Sequence, residues 1–496
     1  MGENSPTGSE PFVRLAPAVF VFGMPRRVFH MKPGLFKDKV FLKKLAALTL
    51  PIAFQSFMLA SVAAGDAVML GRVEQNAMSA VSLATQIQFV QNMVLTTVTG
   101  AGTILGAQYW GKGDRRTVED IFSLILRVNG LVSLLFFTGC FFFPSVLMRL
   151  YAGDAELIGI GASYLRIASW SYLLTGISQC CLSIMKITGH AARSAWISAG
   201  AVVLNIGLNA VFIFGLVGPA MGADGAALAT LISRIVELIW AAVSTMERDF
   251  VKPPFERFFR RIGWLTRDFW KCALPILGAS LMWGIGFTAY TAVMGHLGPD
   301  PAAANSIASV VRDLMCCFCN GVASAGGILV GNELGRGNLE LGRLYGDRLA
   351  VLSALIGLFS CAVILCLTPL VVRFVILTDE ARRMLTGIMV IMAVYMVARC
   401  ICTVVINGIF AAGGDTLFDM YSLAVAMWGI ALPTAFLGAF VFHWPVLMVY
   451  ACTCLDELGK LPWVFAHFAR HKWVRDLTRS EAEMAEEDSG KGHASK

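Results

Sequence analysis

The chain has 496 residues, of which 57% are hydrophobic and only 15% charged, with a mean hydropathy of +0.68. Apolar runs of this length and number exclude a soluble globular domain and a disordered chain, and they identify a polytopic membrane protein. The formal charge of +7 is spread over the segments between apolar runs, a pattern of membrane topology that speaks against a nucleic-acid partner.

Residues 1–41 read as a cytoplasmic N-terminal segment. The apolar run Leu15–Phe22 precedes Arg26 and Arg27, is short, and lacks the preceding basic region of a secretory signal. Met1-Gly2 begins like a myristoylation site, but Pro6 stands where Ser or Thr is required. Met31-Lys-Pro-Gly-Leu resembles a cytoplasmic start, so residues 1–30 are expected to be dispensable.

Twelve apolar spans follow, at about 42–70, 77–107, 117–142, 157–185, 193–217, 223–245, 269–296, 302–331, 343–374, 384–411, 416–441 and 445–468, each near the ~20 residues that cross a bilayer core as a helix. A shift of 224 residues superposes the halves without a gap. Leu50-Pro51-Ile52 returns as Leu274-Pro275-Ile276, Gly111 as Gly335, and Leu50 to Asp114 gives 16 identities in 65 pairs. Six spans in each repeat return the chain to its starting side, so the expected fold is all-α, with twelve transmembrane helices in two parallel six-helix repeats around a central cleft. The expected division is an N-lobe at 42–246, a linker at 247–268 that lies along the inner leaflet or is simply solvated, a C-lobe at 269–470 and a cytoplasmic tail at 471–496. With both termini inside, cytoplasmic segments take 30 of the 40 Lys and Arg, the bias that orients multi-pass proteins of the plasma membrane.

The 13 Cys sit in or near spans, with close groups such as Cys316, Cys317 and Cys319. No His or carboxylate cluster completes a metal site around them, and they read as small packing residues.

Ionisable residues within spans are expensive and normally face a cavity or pathway. Asp66, in Ser61-Val-Ala-Ala-Gly-Asp66-Ala-Val-Met-Leu-Gly71, has neither Lys nor Arg beside it in the first span. In low dielectric it is stabilised either by hydroxyl and amide groups of neighbouring helices or by taking up H⁺ or a small cation, and the latter is coupling chemistry. Asn205 and Asn209 share a helical face at i,i+4, and Thr230 adds a hydroxyl. Asp66, Asn205, Asn209 and Thr230 together form a hard-oxygen candidate site for Na⁺; interhelical hydrogen bonding is the competing reading for the two Asn. Pro51, in the same span as Asp66, is a candidate hinge or a static bend.

In the second half, Arg312, Asp313 and Arg399 are candidate cleft charges or a structural ion pair. Neighbours on a helix point about 100° apart, so Arg312 and Asp313 are expected to pair with other helices, Asp313 with Arg399. Asp456 and Glu457 lie near the end of the last span, where Lys460 neutralises one of them, and no transport chemistry is assigned to them. No nucleophile–base set or phosphate loop suggests an enzyme.

The segments Pro51…Asp66-Ala-Val-Met-Leu-Gly71, Gly106-Ala-Gln-Tyr-Trp-Gly-Lys-Gly-Asp114, Leu204-Asn205-Ile-Gly-Leu-Asn209-Ala-Val-Phe-Ile-Phe-Gly215, Gly222-Ala-Asp-Gly-Ala-Ala-Leu-Ala-Thr230, Val330-Gly-Asn-Glu-Leu-Gly-Arg-Gly337 and Ala412-Gly-Gly-Asp-Thr416 resemble the multidrug and toxic compound extrusion (MATE) family over residues 32–480. The resemblance implies a secondary active exporter that antiports amphipathic, often cationic, organic compounds against H⁺ or Na⁺ by alternating access, with no cofactor. It places Asp66, Asn205 and Thr230 at the N-lobe ion site. Asn209 departs from the Asp of some members, which leaves the choice of ion open. Trp283 and the Arg399 region stand where some relatives carry C-lobe acids, so coupling is expected in the N-lobe alone. Small organic substrates and the bilayer are the implied partners, and the protein is expected to be a monomer. Two other readings stand beside this one: a flippase for lipid-linked saccharides or cell-wall precursors, and a transport-inactive receptor or scaffold.

The 224-residue shift carries Asp66 to Tyr290, Asn205 to Gly429, Asn209 to Pro433 and Thr230 to Cys454. The backbone plan repeats, while the ion chemistry is expected in one half only.

Overall fold

A computed structural model describes residues 38–71, 75–215, 220–247, 250–252, 258–260, 262–375, 377–480 and 483–484, with residues 61–71 and 75 as backbone only. The expected dispensable segment 1–30, residues 248–249, 253–257 and 261 of the charged linker, and residues 485–496 lie outside the described residues. Within them every regular element is helical. The first half contains α1 (Lys39–Gly71), α2 (Gln75–Lys112), α3 (Arg115–Phe142), α4 (Ala155–Ile187), α5 (Ala191–Phe214) and α6 (Gly222–Thr245). The second contains α7 (Gly263–His296), α8 (Pro299–Gly335), α9 (Leu339–Phe374), α10 (Asp379–Phe410), α11 (Leu417–Phe440) and α12 (446–469). Ten of these helices among the described residues are long and apolar enough to cross a bilayer; α2 is the more polar eleventh and α12 is broken.

Helix starts are fixed by side chains that satisfy otherwise orphaned backbone donors. Asp114 accepts from Thr117 N at 3.1 Å to cap α3, and Asp154 accepts from Glu156 N at 2.9 Å to cap α4. Thr378 caps α10 by accepting from Ala381 N at 3.1 Å. The turns after α2 and α8 repeat as well: Gly113 (φ 86°) and Gly337 (φ 79°) occupy left-handed backbone that a Cβ would strain.

Each half folds around its own packed core, and each lends its leading helix to the other. Phe41, Leu45 and Ile52 of α1 belong to the core formed by α8, α9 and α10, whereas Trp264, Leu265 and Phe269 of α7 join the core of α2, α3 and α4. The halves meet where α8 packs on α1 and α2, and where α7 packs on α2. Large apolar side chains on the outer surface, including Leu131, Leu135 and Phe359, remain exposed as lipid contact requires. Pro51 and Pro275 sit inside α1 and α7, at corresponding points of the repeat.

Regular geometry fails in one region. The chain takes π-helical turns at Thr403–Phe410 in α10 and Ala424–Ala431 in α11, the kind of irregularity that clusters at functional sites. The expected continuous span 445–468 is instead three pieces, Val446–Thr453, Leu455–Leu458 and Leu461–Ala469. The breaks fall at Cys454 and at Gly459–Lys460 just before Pro462, and the single helical turn between them, with Lys460 after it, carries Asp456, Glu457 and Lys460 into the protein interior. Residues 471–480, the first part of the segment expected as the cytoplasmic tail, fold back across the molecule as an ordered strap.

Candidate ion site, cavity and closure

In the N-half, Asn205 and Asn209 are buried one turn apart on α5. Asn209 Nδ2 donates to Asn205 Oδ1 at 3.2 Å, and Asn205 Nδ2 donates to Thr230 Oγ1 at 3.3 Å on α6. The Thr230 hydroxyl donates in turn to the Ala226 carbonyl at 3.0 Å. These three residues therefore form one polar line through an apolar bundle. Asp66 belongs to α1, which packs on α5, and its side chain lies outside the described residues. Two turns earlier on α5, Ser198 Oγ accepts from Gln55 Nε2 at 2.7 Å and donates to Glu237 Oε1 at 3.4 Å. Arg234 Nη1 holds the other carboxylate oxygen of Glu237 at 2.6 Å. Glu237, 2% exposed, is a buried acid that sequence reasoning passed over; the signal was its i,i+3 spacing from Arg234.

In the C-half, a cavity of about 210 Å³ opens between α7, α8, α10, α11 and α12. Tyr290 and Cys454, which correspond in the repeat to Asp66 and Thr230, both line it. The cavity thus occupies the place in the C-half that the ion site is expected to occupy in the N-half. Its charges pair differently from expectation. Arg312 Nε and Nη2 both donate to Asp313 Oδ1, at 3.0 and 2.9 Å. The long guanidinium side chain curls over the Phe287 ring, 4.4 Å from its centroid, and reaches its own neighbour despite the angle between them. Arg399 is bound to Glu457 instead of Asp313. Lys460 Nζ lies 3.5 Å from the second oxygen of Glu457, so that carboxylate is held between two cations. Asp456, 4% exposed, lines the cavity with no hydrogen-bond partner for Oδ1, and the Tyr290 hydroxyl is likewise unmet. The Lys460–Glu457 pair matches the expectation that Lys460 neutralises one of the two acids, whereas Arg399–Glu457 had no local sequence signal, since the two are 58 residues apart.

At the end bearing the Lys/Arg-rich loops, the halves touch backbone to backbone. A Cβ on Gly111 would lie 2.7 Å from Asn332 Cα and closer still to its carbonyl, and one on Gly335 would lie 2.6 Å from Gln108 Cα. Gln108/Asn332 and Gly111/Gly335 are both pairs of the 224-residue repeat, so the two contacts are images of each other. The strap reinforces them. Trp473 is fully buried against Gly346 and Phe468 in the C-half. Beyond it the chain crosses to α2: Gln108 Nε2 donates to Ala412 O at 2.7 Å and Arg475 O at 3.2 Å, and Gln108 Oε1 accepts from Leu477 N at 2.6 Å. Lys112 Nζ donates to Arg479 O at 2.6 Å, and Arg479 forms an ion pair with Asp268 of α7 at 2.6 Å.

Comparison with known proteins agrees with this architecture. The MatE family model matches residues 51–211 and 275–437, two stretches that start one repeat apart. An uncharacterized transporter, YisQ of Bacillus subtilis, is 22% identical over 457 residues, covering 90% of this chain and 99% of its own. A probable multidrug resistance protein NorM of Bradyrhizobium diazoefficiens is 26% identical over 392 residues, covering 76% and 82%. Among solved structures, a point mutant of the Vibrio cholerae MATE transporter VcmN superposes with a TM-score of 0.80 at 18% identity, covering 88% of this chain and 98% of its own. A MOP superfamily transporter from Pyrococcus furiosus gives 0.79 at 17%, covering 87% and 96%. The twelve-helix, two-repeat fold and the match of the family model to both halves establish that the chain belongs to the MATE family of membrane transporters.

Proposed function

We propose that the protein is a secondary active multidrug exporter of the plasma membrane, antiporting amphipathic organic compounds against H⁺ or Na⁺ by alternating access, with both termini cytoplasmic. The observation that carries this reading is the pairing of a polar N-half site, Asn205–Asn209–Thr230 beside the helix of Asp66, with a repeat-related closure at the end bearing the basic loops. An antiporter needs both: a site whose occupancy differs between two states, and a seal whose opening defines those states. Asp66, Asn205, Asn209 and Thr230 are the proposed ion ligands, and Pro51, which lacks an N–H to give the carbonyl of Ala47, is the proposed hinge of α1. The name of the NorM relative supports drug export. A flippase would need a cleft rich in cationic side chains for a pyrophosphate, whereas Arg312 and Arg399 share the C-half cavity with Asp313 and Asp456, so its lining carries no excess of positive charge.

Efflux of a fluorescent organic cation from vesicles, driven separately by a pH gradient and a Na⁺ gradient, tests the proposal. Wild-type protein is expected to respond to one of them, and Asp66→Asn to neither at equal protein level. Normal gradient-driven efflux by that variant would remove Asp66 from the mechanism, and no efflux by the wild type under either gradient would sink the exporter reading.

A further inference from the structure

The C-half cavity has lost the ion chemistry expected of its counterpart and gained another. Its volume, about 210 Å³, is below the roughly 300–1,000 Å³ of drug-sized pockets, so it suits a small molecule or the polar head of a larger one. Trp283 and Phe287 stack with centroids 5.5 Å apart and form an aromatic wall. One guanidinium covers each ring, Arg399 over Trp283 and Arg312 over Phe287.

Charge balance restricts what enters. The lining carries two cations, Arg312 and Arg399, and two carboxylates, Asp313 and Asp456. A ligand of either net charge would leave an uncompensated charge within the bilayer, which is costly. Two lining groups are nevertheless open to exchange. Arg312 directs both of its contacts to a single oxygen of Asp313, and the Asp313 side chain is 63% exposed, free to turn away. Asp456 Oδ1 is a buried acceptor without a donor, the condition that a bound group relieves. Arg399, by contrast, is locked to a Glu457 that is itself 2% exposed.

We infer that this cavity binds a small zwitterion, its acidic group on Arg312, its ammonium on Asp456 and its body against the Trp283–Phe287 wall. The Tyr290 hydroxyl supplies a further hydrogen bond. The inference deepens the transport reading above by naming a substrate class for a site separate from the N-half ion ligands. The zwitterion is either a free amino-acid-like solute or the head of an ethanolamine phospholipid, which share this chemistry.

Three probes with one phenyl body isolate the charges: phenylalanine, phenethylamine and 3-phenylpropanoate. Binding is measured by calorimetry on the full-length protein in phosphatidylglycerol nanodiscs. Phenylalanine is expected to bind at least tenfold more tightly than either single-charge analogue. Arg312→Gln is expected to reduce it to the level of phenethylamine, and Asp456→Asn to that of phenylpropanoate, with melting temperature and monodispersity confirming folded protein. If either variant fails to fold, Tyr290→Phe, which removes only a hydroxyl, is expected to weaken phenylalanine alone severalfold. Equal or tighter binding of phenethylamine, no saturable binding of any probe, or phenylalanine binding untouched by the folded variants overturns the inference. Repeating the titration with phosphatidylethanolamine in the disc separates the sources: a severalfold rise in apparent Kd assigns the lipid head, and no change assigns the free solute. Dye efflux without phenylalanine binding would defeat this inference alone, and phenylalanine binding without ion-driven dye efflux would defeat the exporter reading alone.

Discussion

Gly335→Ala puts a methyl group where α8 meets the backbone of α2. The added carbon would lie 2.6 Å from Gln108 Cα, whereas carbon atoms rest about 3.5–4.0 Å apart, so the helices must separate by roughly 1 Å. No rotamer change relieves the clash because the obstruction is main chain. Overpacking of this kind costs about 1–3 kcal/mol, and the cost falls only on the state in which the two ends touch. The ratio of closed to open at the basic end should therefore fall about 5- to 150-fold. Gly111→Ala, against Asn332, should reproduce the effect through the repeat-related contact. Gly100→Ala, on the same α2 with nothing within 4 Å, serves as the control and should be neutral. Spin labels at the exposed positions Arg116 and Glu340, in a background without the 13 native Cys, report the separation by double electron–electron resonance. Both wedge variants should shift the distribution to longer distances and slow dye efflux. An unchanged distribution in both, with the control also unchanged, would show that these contacts do not form the inner seal.

Trp473→Ala removes the fully buried anchor of the strap, a change worth about 3–5 kcal/mol for a large aromatic; hydrogen exchange over residues 472–480 should rise sharply, while α9 and α10 keep their protection. His471 is held below its ordinary value of 6.5 by partial burial and by the charge of Arg343. The docked strap thus prefers neutral imidazole and the released strap binds the proton more tightly, so docking is complete above about pH 6.5 and weakens as pH falls through that value. Exchange over the same residues at pH 7.5 and 5.5 should show this, and His471→Gln should flatten it. Glu237→Gln leaves Arg234 without a charged partner in the bundle, a loss of about 3–5 kcal/mol for a fully buried pair and less here because Arg234 is 19% exposed; unfolding titrations in detergent should detect it, and an unchanged midpoint would make the pair energetically idle.

What the sequence made legible was periodic or repeated. Helix number, the parallel repeat and the two glycine turns follow from apolar period and a constant offset, because each is set by local geometry applied twice. Asn205 and Asn209 share a face because i,i+4 spacing puts them there, and Thr230 joins them as a neighbour on α6. What stayed hidden depended on contacts between distant segments. Arg399 could have met any carboxylate on the facing helices, and only the fold selects Glu457 over Asp313. Arg312 met its own neighbour because side-chain length overrode helical angle. Residues 471–480 are mostly polar and aperiodic, and their order comes from backbone groups meeting Gln108, Tyr109 and Lys112.

The broken α12 also bears on how the protein is made. A charge at the membrane centre costs about 2.5–3.5 kcal/mol on insertion and less toward the ends of a span; α12 carries Asp456, Glu457 and Lys460 and, broken into short pieces, is not among the described helices long and apolar enough to cross. It leaves the ribosome after α10. The partner that neutralises Glu457, Arg399, is already in place on α10 by then. Placing Glu457 in the bilayer thus costs less once α10 presents Arg399, and a chain whose α10 is misplaced lacks that counter-charge for α12.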